Sequence, residues 1–257
     1  MQNDLAADRV SQPVGGRASK APPPHLSIKG LGLKRNDRWL FRNLNWEVPR
    51  GSVVAVVGPS GVGKSSLLNC LAGVTAPTEG DLIFSCNAGC LHQPKSYQNR
   101  VGVIYQNFLL SQNSSVLRNV LCGRLARYPW WQTLFHFPRA DKQAAALLLA
   151  DLGLGSHLHR RAAEISGGEQ QRAAVARALF QEPELLLADE PVSNLDAYLC
   201  GRVLGLLRQE AHQNRRTVFC VLHEAALLER FADYALSLDP LSPEKWRIRE
   251  IHAASLN

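Results

Sequence analysis

The feature that most restricts the fold of this chain is a glycine-rich segment between a short apolar run and a helix-like stretch. Residues 58–65 read Gly-Pro-Ser-Gly-Val-Gly-Lys-Ser, which fits the phosphate-binding pattern G-x-x-x-x-G-K-[ST] at every fixed position. Ser52–Val57 before it is rich in β-branched residues, as in a strand buried on both faces of a parallel sheet. Ser65–Gly73 after it ends on glycine, as helices commonly do. A strand, such a loop and a helix in this order predict a phosphate-binding α/β domain.

The loop composition has a chemical reason. Glycines let the backbone curl so that its N–H groups face phosphate oxygens, and the following helix adds positive potential. An ordinary glycine turn is the alternative, but it requires neither this spacing nor both flanking elements. Lys64 is expected to reach the β- and γ-phosphates, and the Ser65 hydroxyl to ligate Mg²⁺. The predicted ligands are ATP and Mg²⁺, and the predicted ATP-binding residues are Gly58, Pro59, Ser60, Gly61, Val62, Gly63, Lys64, Ser65 and Ser66.

A second apolar run ends in two acids. Residues 185–190 read Leu-Leu-Leu-Ala-Asp-Glu, which predicts a buried strand followed by Asp189 and Glu190. A carboxylate at the end of such a strand can hold Mg²⁺, and Asp189 fits that role. Glu190 can polarise the water that attacks the γ-phosphate, a contribution of about 10²–10⁴-fold in rate. Many buried strands end in an acid, so the motif is informative mainly because it accompanies the phosphate-binding loop.

A third segment, residues 165–171, reads Ile-Ser-Gly-Gly-Glu-Gln-Gln and admits two interpretations. Ser166 followed three residues later by Glu169 is a capping box, which only starts a helix. The adjacent Gly167 and Gly168 do more than a cap needs, because they bare backbone N–H groups at a helix N-terminus, a potential anion site. Two phosphate-binding helix starts in one chain suggest that ATP is held from two sides.

With these motifs the chain resembles the nucleotide-binding subunits of ABC transporters over residues 26–240. Residues 165–169 are similar to the family signature Leu-Ser-Gly-Gly-Gln, with Ile165 and Glu169 as the two changes. The resemblance implies a head-to-tail dimer in which Ser166, Gly167, Gly168 and Glu169 of one copy face the phosphate-binding loop of the other. It also implies Gln106 as the Q-loop residue, Asp196 in the D-loop Ser193–Asp196, and His223 as the switch histidine. The implied catalytic residues are Glu190, His223 and Gln106, and the implied metal-binding residues are Ser65, Gln106 and Asp189.

The predicted fold is therefore a P-loop NTPase with ABC architecture. A mostly parallel core sheet is expected with an antiparallel β edge subdomain, to which Leu26–Lys29 and Leu44–Val48 would belong, and an inserted α-helical subdomain at about 107–165. The expected organisation is a disordered tail over 1–24, a nucleotide-binding domain over 25–245 and a short tail over 246–257. Asn36-Asp37 is expected to form a turn.

One segment bears on the transported compound. Residues 117–138 are similar to the same region of phosphonate-importer ATPases, with Asn-Val-Leu-x-Gly-Arg-Leu before an aromatic stretch. Trp130, Trp131, Phe135 and Phe137 are expected either to contact a membrane subunit or to pack the helical subdomain. The implied function is ATP hydrolysis that drives import of a phosphonate or related oxyanion. The implied partners are a second cassette, forming a homodimer, an integral-membrane permease, and a periplasmic or lipid-anchored solute-binding protein.

Two features depart from that resemblance. Glu169 is more usual in lipoprotein-release and cell-division relatives, which keeps that type of ABC complex open as an alternative. Family members stack adenine on an aromatic residue between the first two strands, whereas Lys34 or Arg35 stands there and Trp39 comes several residues late. A cation–π contact from Arg35 would recover part of the stacking energy, so adenine selectivity is expected to be modest.

Composition disfavours several other classes of protein. The 257 residues contain no run near the roughly 18 apolar residues of a membrane helix, and Met1–Pro24 lacks the apolar core of a secretory signal. We therefore expect a cytoplasmic protein on the inner face of the membrane. The net charge of +7 is spread along the chain, which disfavours a soluble ABC ATPase acting on nucleic acid or ribosomes. Glu190 and His223 together disfavour a non-hydrolysing module. Cys86, Cys90 and His92 lack an evident fourth zinc ligand and are interpreted as incidental.

Overall fold

The structure, a computed structural model, describes residues 25–86, 89–91, 97–130 and 137–251. The strands in chain order are β1 (Leu26–Arg35), β2 (Arg38–Val48), β3 (Val53–Val57), β4 (Glu79–Cys86), β5 (Gly89–Leu91), β6 (Val101–Ile104), β7 (Leu185–Ala188), β8 (Thr217–Val221), β9 (Tyr234–Leu238) and β10 (Trp246–Glu250). The α-helices are α1 (Lys64–Leu71), α2 (Val116–Leu121), α3 (Arg139–Asp151), α4 (Gly167–Phe180), α5 (Ala197–His212) and α6 (Ala225–Phe231). The predicted tail over 1–24 lies outside the described residues.

The antiparallel edge sheet predicted at the start of the domain is confirmed. Its strand order is β2-β1-β4-β5. β1 and β2 form a hairpin whose turn, Asn36-Asp37, has both residues at positive φ (48° and 61°), as a tight two-residue hairpin requires.

The central sheet is the predicted parallel core. Its order is β10-β9-β3-β8-β7-β6, with parallel pairing from β9 to β6. Buried β-branched and leucine side chains account for the parallel strands, which are covered on both faces. Val53 and Ala55 point into one core cluster and Val54 and Val56 into the other, as the two-residue period of a strand dictates.

One boundary expected from the sequence is wrong. Residues 246–250, expected to begin a tail, form β10, which pairs antiparallel with β9 from Trp246↔Leu238 to Glu250↔Tyr234. Trp246 and Ile248 alternate with charged residues and pack against the core beneath the sheet. This alternation is the period-2 pattern of an edge strand with one buried face.

The helical subdomain lies on one face of the central sheet. α2 and α3, with short 3₁₀ segments at 122–127, 155–157 and 162–164, fall within the range predicted to be helical. They pack on α4, which follows that range, through one continuous apolar cluster that includes Val120, Leu149 and Val175. Phe137 is buried in this cluster while Trp130 is 78% exposed, and Trp131 and Phe135 lie outside the described residues.

The described part of the chain contains neither a membrane-spanning helix nor a metal-binding cluster of side chains. None of its helices combines the length and the apolar character that a bilayer-crossing segment needs. Its side chains also contain no group of three or more His, Cys, Asp or Glu residues arranged to hold a metal ion. The Cys86, Cys90 and His92 group lies outside the side chains described.

The topology decides where a site can form. β3, β8, β7 and β6 are neighbours in the central sheet and run parallel, so the segments that follow them emerge at one edge. These segments begin with Gly58, Leu222, Asp189 and Tyr105, respectively. Ligands of open parallel sheets bind outside the carboxyl ends of the strands, and this edge is therefore the place to look for a functional site.

Candidate functional site

The loop after β3 wraps around the start of α1. Gly58, Gly61 and Gly63 have φ values of 144°, 78° and 113°, which L-residues with a side chain rarely adopt. A Cβ at Gly58 would also lie 3.0 Å from Val62 Cγ1 and 3.1 Å from the Leu238 carbonyl oxygen. The glycines therefore shape this loop both by backbone conformation and by space.

A cavity of about 430 Å³ opens above the loop. Six of the nine residues predicted to bind ATP line it, namely Ser60, Gly61, Gly63, Lys64, Ser65 and Ser66. Gln106 and Glu190 line the same cavity, as do Arg35 and Leu40. The structure thus places the phosphate-binding loop and two of the predicted catalytic residues around one space.

Lys64 lies almost buried at the first position of α1. Its ammonium donates to the carbonyl oxygens of Gly58 (2.8 Å) and Pro59 (3.0 Å), so the side chain folds back along the loop. It has no carboxylate partner among the described residues, which leaves a desolvated positive charge beside a set of free N–H donors. That combination favours an anion.

The predicted catalytic residues meet at the opposite wall. His223 Nε2 lies 2.8 Å from Glu190 Oε1, and Gln106 Nε2 donates to Glu190 Oε2 at 3.3 Å. Three separate segments, those that follow β6, β7 and β8, therefore converge on one carboxylate. Such a carboxylate, with its orientation fixed from both sides, can accept a proton from a water molecule held in the cavity.

The backbone at Glu190 is strained. Its φ of 51° is in the left-handed region, which costs a residue with a side chain about 1–3 kcal/mol unless its surroundings enforce it. The Glu190 carbonyl oxygen accepts from Gln171 Nε2 (3.1 Å) and from Ser193 Oγ (3.2 Å). These two bonds account for the conformation, which turns the Glu190 side chain toward the cavity.

Asp189 and Ser65 occupy positions suited to a hard cation. Asp189 follows β7 directly, and its backbone N–H donates to the Ile104 carbonyl oxygen at 2.9 Å. Ser65 lines the cavity from the first turn of α1. Gln106 lines the same cavity as Ser65, whereas Asp189 does not. All three side chains carry an oxygen, which is the donor type that Mg²⁺ prefers.

Residues 165–171 start α4 as a complete capping box. Glu169 Oε2 accepts from both the N–H and the hydroxyl of Ser166, each at 2.8 Å, and Ser166 Oγ accepts from the Glu169 N–H at 3.4 Å. These hydrogen bonds favour the ionised form and hold the pKa of Glu169 below its usual range. None of Ser166, Gly167, Gly168 and Glu169 lines the cavity above the phosphate-binding loop.

Asp196 sits beside that helix start. It caps α5 by accepting from the Leu199 N–H at 2.9 Å. A Cβ on Gly168 would meet the Asn194 carbonyl oxygen at 3.3 Å, so the segment 193–196 lies against the start of α4. The predicted signature and D-loop residues therefore share one surface of the chain, apart from the cavity.

Two residues of the site have roles that their sequence positions do not reveal. Gln171, 1% exposed, donates to the Glu190 carbonyl oxygen, a role that its place at the end of the signature segment does not indicate. Arg177 donates to the carbonyl oxygens of Phe108 (2.8 Å) and Leu109 (2.6 Å), which have φ values of 60° and 46°. The sequence does place both on the helix that the capping box begins, Gln171 about one turn and Arg177 about three turns after Ser166.

The chain is similar to proteins of known family. A family model described as "ABC transporter" matches residues 41–193. The phosphonates import ATP-binding protein PhnC of Paraburkholderia xenovorans is 37% identical over 211 residues, covering 79% of this chain and 70% of that protein. The protein of the same name from Lactobacillus acidophilus is 38% identical over 223 residues, covering 85% and 87%. The dimeric structure of a bacterial ABC transporter cassette shares the fold, with a TM-score of 0.77 at 24% identity over 88% of this chain and 99% of that one.

Proposed function

Because the chain belongs to the ABC transporter family, we propose that it is the ATP-hydrolysing subunit of an importer whose cargo is a phosphonate or a related oxyanion. The observation that carries the proposal is the convergence of Gln106 and His223 on Glu190 at the wall of the cavity above the phosphate-binding loop. The cargo class is supported by the relatives, which are named phosphonates import ATP-binding proteins.

In the proposed reaction the protein positions one water molecule and stabilises negative charge. Lys64 and the N–H groups of the loop neutralise the β- and γ-phosphates. Glu190 accepts the proton of the attacking water, and its hydrogen bonds to Gln106 and His223 hold the carboxylate in place.

Magnesium is the proposed metal cofactor of this reaction. Ser65, Gln106 and Asp189 would hold it with oxygen donors, while Glu190 stays available for water. When bound, Mg²⁺ would offset the negative charge that develops on the phosphate oxygens.

The second half of the ATP site is proposed to come from another copy of the chain. The signature residues Ser166, Gly167, Gly168 and Glu169 do not line the cavity of their own chain, and a Cβ added to Gly167 would meet no atom within 4 Å. In a head-to-tail homodimer they would close the partner's cavity, with Asp196 at the shared surface. The paired arrangement would explain why two anion-suited helix starts occur in one chain.

The remaining partners follow from the import role. The proposed nucleotide-binding domain begins at residue 25 and includes β10, with the helical subdomain at about 107–165 inserted between β6 and α4. This subdomain would receive a membrane permease, for which exposed Trp130 offers an apolar contact. The complex would sit at the cytoplasmic face of the membrane, with a periplasmic or lipid-anchored solute-binding protein on the other side and no nucleic-acid partner.

Glu190→Gln tests the catalytic assignment. Loss of the proton acceptor should lower steady-state phosphate release by about 10²–10⁴-fold while ATP binding persists, and should trap an ATP-bound dimer visible by gel filtration. Glu229→Gln is the matched control, because Glu229 is an exposed acid on α6 paired with Arg249. Undiminished hydrolysis by the Glu190 variant would refute the assignment.

A cellular experiment tests the cargo. Cells that lack this protein should fail to grow with an alkylphosphonate as the only phosphorus source and should still grow on inorganic phosphate. The wild-type chain should restore growth and Glu190→Gln should not. Normal growth on phosphonate without the protein would contradict the proposed cargo but not the ATPase.

A further inference from the structure

We propose that the guanidinium of Arg35, and not an aromatic ring, is the surface on which the nucleotide base stacks, so that the site distinguishes ATP from GTP only weakly. The inference deepens the proposed function and depends on nucleotide binding in the cavity above the phosphate-binding loop.

The cavity itself locates the base. Apart from residues of the phosphate-binding loop and the first turn of α1, its lining consists of Gln106 and Glu190 at the catalytic wall and of Arg35 and Leu40. The phosphates must face the loop N–H groups and the terminal phosphate must approach Glu190. The base is then left with Arg35 and Leu40, which belong to the β1–β2 hairpin.

Arg35 is free to take this role. It is exposed at the end of β1, and it makes no hydrogen bond or ion pair with any residue in the described ranges. Its neighbours are engaged: Lys34 pairs with Asp37 at 3.0 Å, and Arg38 donates to the Pro240 carbonyl oxygen at 3.3 Å. Lys34, the other cation that the sequence placed near the base, is therefore committed to the hairpin turn.

Trp39 is directed elsewhere. It lines a neighbouring cavity of about 230 Å³ with Asp239 and Leu241. This cavity shares Leu40 and Gly61 with the one that holds Lys64 and Glu190, but Trp39 does not line the latter. The guanidinium carbon of Arg42 lies 4.6 Å from the centre of the Trp39 ring, so one face of the indole is already covered.

The chemistry of such a base site predicts tolerance. A guanidinium stacks on the π face that every base presents, and it carries only donors. Leu40 adds apolar contact, and its Cβ would lie 3.0 Å from a Cβ on Gly63, which places it directly against the loop. Adenine and guanine differ at the hydrogen-bonding edge, and discrimination of about 10⁴-fold or more requires buried groups that pair with that edge. Arg35 and Leu40 supply no such acceptor and donor pair.

Equilibrium binding to the full chain tests the proposal, with ATP, GTP and inorganic tripolyphosphate as probes. The wild-type affinities for ATP and GTP should agree within about tenfold. Arg35→Ala should weaken both nucleotides by about two- to thirtyfold, the range of a cation–π contact, and should change tripolyphosphate binding no more than Lys34→Ala, which removes the same charge one residue away. Arg35→Tyr should restore nucleotide affinity, since an aromatic face can replace the guanidinium.

Three results would overturn the proposal. The first is a preference for ATP over GTP beyond about 10²-fold. The second is an equal loss of tripolyphosphate and ATP affinity in Arg35→Ala, which would make Arg35 a phosphate ligand. The third is a loss of nucleotide affinity, but not of tripolyphosphate affinity, in Trp39→Ala instead of Arg35→Ala. Failure of the proposed function gives a different pattern, because Lys64→Ala would then leave the affinities for all three probes unchanged.

Discussion

The chain contains two helix N-termini that suit an anion, and they are built differently. α1 starts after Gly63 at positive φ, without a side-chain cap and without an acid in its first turn, and Lys64 adds a positive charge there. α4 starts after Ser166 with a complete capping box, and Glu169 places a carboxylate in the first turn. The N–H groups of α1 are open to a ligand, whereas part of the α4 terminus is satisfied by its own side chains.

The difference indicates a division of labour. The start of α1 can bind phosphate within a single chain, because its dipole and Lys64 act together. At α4, the Glu169 carboxylate offsets the dipole and already accepts from the Ser166 hydroxyl. Only the first-turn N–H groups of Gly167 and Gly168 therefore remain for a ligand. We infer that α4 is a conditional anion site, which contributes only when a partner cassette presents a phosphate already held by its own α1.

The largest expected effect is on ATP hydrolysis and comes from a substitution at the start of α4. Ser166→Phe fills the proposed dimer contact and removes the capping hydroxyl, so hydrolysis at saturating ATP and Mg²⁺ should fall by about 10²–10³-fold, as on loss of one charge-stabilising donor. ATP affinity of the isolated chain should not change, because Ser166 does not line its own cavity.

Phosphate release and calorimetry, run on the same preparation, separate the two effects. Ser156→Phe is the control for bulk, since Ser156 is an exposed serine outside the signature. If Ser166→Phe hydrolysed ATP at the wild-type rate, α4 would be an ordinary capped helix and the paired-site proposal would fail.

A smaller effect is expected from the other helix, and on a different quantity. Lys64→Ala removes the charge beside the open N–H groups of α1, so the affinity for ATP itself should fall by about ten- to hundredfold, as for a lost hydrogen bond to a charged group. Calorimetry on the single chain measures this directly. Lys142→Ala on α3 removes a charge of the same kind far from the loop and should bind ATP normally; parallel losses in the two variants would mean that only overall charge matters.

The parts of this site that the sequence predicts are those defined by local spacing. The phosphate-binding loop, the acids after β7 and the capping box each fit within a few residues, and the loop pattern makes the meaning of the other two specific. The strand and helix around Lys64 were predictable for the same reason, since a buried β-branched run and a glycine stop are local signals.

The parts that the sequence did not predict depend on contacts between distant segments. The left-handed backbone at Glu190 exists because Gln171, 19 positions earlier, holds its carbonyl oxygen. Arg177 similarly fixes Phe108, 69 positions away. No periodicity encodes such pairs. β10 was missed for a different reason. Its alternation of apolar and charged residues is visible in the sequence but spans only a few residues, and pairing with β9 is what stabilises it as a strand.

The smallest expected effect comes from removing the carboxylate of α4 while keeping its cap, which makes the start of α4 more like that of α1. Glu169→Gln keeps an oxygen that can accept from Ser166 and deletes the charge. Relief of the repulsion between that carboxylate and a partner's phosphate should raise turnover by about two- to fivefold, the range of a charge near a helix end. Glu164→Gln is a matched control, since the Glu164 carboxylate likewise accepts from the backbone N–H three residues earlier, that of Arg161 at 3.1 Å, outside the signature.

Glu169→Gln should also change how the stability of the protein depends on pH. The pKa of Glu169 is lowered by its bonds to Ser166, so the folded state binds this proton less readily than the unfolded chain does. Its stabilising contribution is therefore complete above the ordinary carboxyl pKa of about 4.3 and is lost as the pH falls below it. Urea unfolding between pH 6 and 3 should accordingly show a shallower acid loss in Glu169→Gln than in wild type. If Glu169→Gln lost turnover but kept wild-type stability at neutral pH, the Glu169 carboxylate would assist hydrolysis at the partner's site. The proposal that this carboxylate weakens anion binding at α4 would then be wrong.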